Sequence, residues 1–106
     1  MFSCIINDHE QYLFNSRDES ISGQDIKIRF PVEKEYQYIK QKLSESNEFV
    51  VDVTSPEGGR YREFFKPLVM DDIVWWSYTG VQLRDLQKDV RSLLIEIGRA
   101  SCRERV

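Results

Sequence analysis

The stretch from Glu48 to Tyr78 constrains this chain more than any other. Phe49, Val51 and Val53 occupy every second position of Glu48 to Thr54, and the β-branched content suits a strand with those three on one face. Ser55-Pro56-Glu57-Gly58-Gly59 follows. Proline presets one backbone angle there, and the paired glycines reach conformations other residues avoid, so the chain must reverse. Arg60 to Phe65 reads as the returning strand. Pro67 has no N–H to give to a neighbouring strand, so Lys66 to Met70 is predicted to be an edge, a bulge or a bend. Asp71-Asp72 turns the chain again, and Ile73 to Tyr78 is a third strand by its β-branched and aromatic residues. The segment is therefore an antiparallel three-strand meander.

The N-terminal half is read around that meander. Phe2 to Ile6 and Gln11 to Asn15 form a hairpin across the polar turn Asn7 to Glu10. Ser16 to Gln24 is a surface loop. Asp25-Ile26-Lys27-Ile28-Arg29-Phe30 alternates polar and apolar with period two, which predicts a half-buried strand. Pro31 opens a helix, since the first helical position needs no N–H. Val32, Tyr36, Ile39 and Leu43 form its apolar stripe, and Ser44 to Asn47 ends it. After the meander, Thr79 and Gln82 have the spacing of a capping box, and Leu83, Leu86, Val90, Leu93 and Leu94 make a second helical stripe. The expected class is α+β: a mostly antiparallel sheet (N-terminal hairpin, one strand, three-strand meander) with two helices packed on one face.

The final ten residues, 97–106, read in a single frame as a translated sequencing adapter, so they are set aside as non-native. Residues 1–96 are expected to be one domain whose natural C-terminus is cut short. The whole chain carries 15 basic and 18 acidic residues. Setting aside Arg99, Arg103, Arg105 and Glu104 leaves 12 basic and 17 acidic, a net of −5. That balance disfavours general binding to a nucleic-acid backbone, which needs clustered Lys and Arg, and suits a basic protein partner. With Cys102 set aside, Cys4 is the only cysteine, so neither a disulfide framework nor a cysteine zinc site can be built. No basic leader with a long apolar core opens the chain, and no apolar run approaches the ~20 residues of a membrane helix. The expectation is a soluble, cytoplasmic protein without a cofactor.

Few residues suggest chemistry. His9 is the only histidine, with Cys4 five positions earlier and Asp8 and Glu10 beside it. A Cys/His pair needs contact and an orienting third group, and a turn histidine is more often simply solvated. One histidine among carboxylates also makes a poor zinc site. Asp71-Asp72 invites an acid–base or magnesium reading, but aspartates in turns commonly bond local backbone N–H groups instead. Glu57-Gly58-Gly59-Arg60 lacks the ending of a phosphate loop. No catalytic or metal-binding set is therefore assigned.

Two features point to binding. The first is the acidic N-terminal quarter, Asp8, Glu10, Asp18, Glu19 and Asp25, offset before Lys27 only by Arg17. The second is Trp75, Trp76 and Tyr78. Alternation puts Trp75 on one sheet face and Trp76 with Tyr78 on the other, and Tyr61 and Arg62 on the neighbouring strand could extend an exposed patch. In size, charge and absence of catalytic residues the chain is similar in general character to small acidic inhibitors made by phages, anti-CRISPR proteins among them; no motif carries that likeness. The expected function is a non-enzymatic inhibitor that occludes a basic nucleic-acid-binding surface of a nuclease, in the host cytosol if phage-encoded. The alternatives are a small enzyme using Cys4 and His9, and a single-strand nucleic-acid binder stacking bases on Trp75, Trp76 and Tyr78.

Overall fold

A computed structural model of the chain describes residues 1–86. The elements are β1 (Phe2–Ile6), β2 (Tyr12–Asn15), α1 (Glu33–Ser44), β3 (Phe49–Thr54), β4 (Arg60–Met70) and β5 (Ile73–Gln82), with two 3-10 turns at Glu19–Ile21 and Ile26–Arg29. The strands form one antiparallel sheet in the order β2-β1-β5-β4-β3, so the fold is α+β and mostly sheet. The sequence-predicted N-terminal hairpin and the meander are both present. What joins them is β1 pairing with β5, from Phe2 opposite Gly80 to Ile6 opposite Trp76. Among the described residues no helix is long and apolar enough to cross a membrane.

Alternation along each strand sorts the side chains by face. One inner-face row crosses all five strands: Phe49, Phe65, Tyr78, Cys4 and Asn15. Phe65 stacks on Phe49 and on Tyr78, at 4.5 Å between ring centroids in each case. The helix α1 adds Tyr36, Ile39 and Leu43 to the same buried cluster. Their spacing of three and four brings them onto one stripe, and burying a side chain such as Ile39 contributes about 1.5–3 kcal/mol. Glu33 and Glu35 in the first turn and Lys42 in the last suit the helix dipole. Val32 keeps an extended backbone, so the helix starts two residues after Pro31, and Val32 itself is exposed rather than part of the stripe.

Two expectations are corrected. Asp25 to Phe30 is not a strand. The Asp25 carboxylate accepts from the Lys27 N–H at 2.8 Å and starts a 3-10 turn, in which Ile26 and Phe30 are buried while Ile28 is exposed. The side-chain cap gives the backbone a local alternative to a ladder. Thr79 to Gln82 caps no helix either. These residues extend β5, because β1 and β4 supply partners on both sides. Cross-strand bonds outweigh a local capping pattern. Gly80 suits this pairing: the Phe2 ring lies over the space a Cβ there would fill, so a larger residue would have to push the ring aside. The chain turns helical at residues 83–86. Val90, Leu93, Leu94 and the 97–106 segment lie outside the described residues, so the packing expected of a second helix is not assigned.

Candidate functional site

The acidic quarter does not form one patch. Asp18 caps the first 3-10 turn, accepting from the Ser20 N–H at 3.0 Å, and Asp25 caps the second. The Ser20 hydrogen bonds hold the Asp18 carboxyl below its usual range. Glu19 is exposed in that same turn. Asp8 and Glu10 stand at the other end of β1, in the β1–β2 turn, where Glu10 has a φ of +61° and its carboxylate lies 4.0 Å from Lys40. There they meet a residue from elsewhere in the chain. Asp72, in the β4–β5 turn, lines the same shallow cleft of about 310 Å³ as Asp8 and Glu10.

The aromatic patch is corrected as well. Trp76, Tyr78 and Tyr61 all lie in the core, because their face of the sheet is the inner one. The hydroxyls of Tyr78 and Tyr12 are hydrogen-bonded to each other inside it. Trp75 is half-buried on the opposite face, as alternation predicts. Arg62 is on that outer face and is held by Asp52 through two hydrogen bonds of 2.9 and 3.2 Å.

Cys4 and His9 do not share a surface. Cys4 is fully enclosed, and burial pushes its thiol up to about 11, away from the thiolate a nucleophile needs. The His9 side chain is 78% exposed, with Asp8 at 3.7 Å. Among the described residues no three His, Cys, Asp or Glu side chains gather as a metal site.

One buried acid was not foreseen. Glu63 sits on the inner face between Val51 and Gly80 and is only 1% exposed. Burial pushes its carboxyl up to about 8, opposed by Arg29 and reinforced by Glu35. Its Oε2 has no hydrogen-bond partner. Alternation in β4 could have revealed it, since Tyr61, Glu63 and Phe65 share one parity.

The surface most unlike an ordinary exterior is the far end of the β4–β5 hairpin. β3 stops pairing at Phe65, and β1 stops at Trp76. Leu68 to Met70 and Ile73 to Trp75 therefore pair only with each other, as a two-stranded ribbon that runs past its neighbours. Pro67 lies at its base, where β3 has already ended and β4 has a strand on one side only, which meets the edge expectation. Val69, Met70 and Ile73 are 68%, 43% and 46% exposed, and Leu68 is exposed too. Asp71, at a φ of +52°, and Asp72 form the tip. The sequence did hold a signal for this. Leu68-Val69-Met70 and Ile73-Val74-Trp75 are apolar on both parities, which a strand with one solvated face is not. No family model matches this chain, and no curated protein matches its sequence.

Proposed function

We propose that this protein is a non-enzymatic binding inhibitor that docks on a basic protein through the β4–β5 ribbon and its acidic flank. The observation that supports this reading is the ribbon itself. Met70 and Ile73 are exposed on one face of the ribbon and Val69 on the other; exposed apolar side chains gathered in this way mark interaction surfaces, and a two-stranded ribbon is marginal alone and gains by being covered. Asp71 and Asp72 at the tip, with Asp8 and Glu10 beside them, would steer that apolar surface toward positive charge. The target favoured by this chemistry is a nucleic-acid-handling protein such as a CRISPR nuclease, blocked by occlusion of its basic channel. Such an activity belongs in the cytosol of the target's cell.

The test is co-purification with a panel of basic nucleases, with and without guide RNA, at low salt. Replacing Val69 and Ile73 by Thr keeps β-branching while removing apolar contact, and should weaken the complex about thirtyfold, the effect of losing a binding hot spot. Asp71→Asn with Asp72→Asn should chiefly slow association and flatten its salt dependence, and Asn tolerates the φ at the tip. If no nuclease is retained at low salt, or the Thr pair binds as well as the parent, the reading is wrong.

A further inference from the structure

The two edges of the sheet are treated differently. Along β2 the chain covers its own edge: the Tyr12 N–H donates to the Gln24 carbonyl at 2.8 Å, and the Gly23 N–H donates to the Tyr12 carbonyl at 2.7 Å. Along β3 only the far end is closed. The Thr54 N–H donates to Glu35 Oε1 of α1 at 2.8 Å, and Arg60 holds the other oxygen of that carboxylate at 2.7 Å. The next residue, Ser55, donates in the opposite sense, to the Gly59 carbonyl at 2.8 Å. Backbone groups alternate sides along an antiparallel strand. Thr54, Asp52 and Val50 therefore aim their N–H and C=O away from β4. Those of Asp52 and Val50 open into a groove of about 500 Å³ between β3 and α1.

The groove has a definite chemistry. Tyr38 and Val50 are exposed in it, and Val51 is half-buried. Its charges are mostly spent: Asp52 on Arg62, and Glu35 on Arg60 and Thr54. Lys34, one helical turn before Tyr38, has no carboxylate within 4.0 Å among the described residues. We propose that the β3 edge is a second recognition site, which takes an extended acidic–apolar segment of a partner protein as an added strand. Backbone bonds to Val50 and Asp52 would hold the segment. Its alternate side chains would meet Tyr38 and Val51 with an apolar residue and Lys34 with a carboxylate. This site does not depend on the ribbon.

The probe is an acetylated, amidated and fluorescently labelled peptide, Thr-Val-Thr-Glu-Thr-Val, followed by anisotropy and by the amide resonances of the protein. Binding should shift the amides of Val50 and Asp52, and N-methylating alternate peptide residues should abolish it. Val50→Pro removes one outward N–H at a position where an edge strand tolerates proline, and should weaken binding about tenfold. Lys34→Glu should weaken it several-fold at low salt, and Val69→Thr with Ile73→Thr should leave it unchanged. If Val50→Pro does not fold, the N-methylated peptide decides the matter. Three results would overturn the proposal: no amide shift at millimolar peptide, equal binding of the N-methylated peptide, or shifts that follow protein concentration without peptide. The last would make a second copy of this chain the occupant.

Discussion

Between about pH 4.5 and about pH 8 the folded protein is expected to lose roughly 5 kcal/mol of stability, and Glu63→Gln should remove most of that loss. The sign follows from proton counting. Burial keeps the folded Glu63 carboxyl protonated up to about 8, while the unfolded carboxyl releases its proton near 4.5. In that window the native state binds the extra proton, so stability falls as pH rises. The contribution is complete below the lower value and gone above the upper one. At about 1.36 kcal/mol per tenfold change, the interval gives the stated size, a large part of the roughly 5–15 kcal/mol of a typical domain. The lowered carboxyls of Asp18, Asp52 and Glu57 act in the opposite sense and at lower pH, and the buried Cys4 thiol acts at higher pH. Urea midpoints across this range for parent and variant would check it. Parallel pH profiles for the two proteins would sink it.

Phe65→Ala should cost about 3–5 kcal/mol, the range for deleting a buried aromatic ring. Phe65 is 2% exposed and is stacked between Phe49 and Tyr78, so the substitution empties the middle of the row that crosses the sheet. Tyr78 cannot swing freely into the space, because its hydroxyl is tied to Tyr12. The neighbouring residue provides the control. Phe64 is 42% exposed on the outer face, and Phe64→Ala should cost less than about 1 kcal/mol. Equilibrium denaturation of both variants measures the contrast, and equal losses would mean that the faces are assigned wrongly.

These faces are where the sequence was most readable. The alternation of Phe49, Val51 and Val53, the turn at Ser55 to Gly59 and the Tyr36-Ile39-Leu43 stripe each have a local cause, so each could be read from neighbouring residues. The Asp25 segment misled because its period-two pattern competes with a cap formed by a single carboxylate. The pairing of β1 with β5 has no local signature at all. It converts a capping-box pattern at Thr79 into strand and decides that Trp76 and Tyr78 face inward. For the candidate site, the charge of Asp8 and Glu10 is legible locally, but the residues that give them context, Asp72 and the ribbon, lie more than fifty-five positions away. Asp18 and Asp25 were marked for their charge, whereas their short side chains serve the turns they begin.

The β1–β5 pairing also sets the order in which this protein can be made. Phe2 leaves the ribosome 78 residues ahead of Gly80, yet its place over that glycine exists only after β5 has emerged. Until then the β1–β2 hairpin has no second strand beside Phe2, Cys4 and Ile6, and a lone hairpin is marginal in water. The β3–β4–β5 meander, with close neighbours in sequence, can assemble first, and the opening strand is then captured along its edge. During synthesis the newborn chain therefore carries β1 as an apolar strand in search of a partner. It is in that interval that a chaperone, or a second nascent chain, has something to bind.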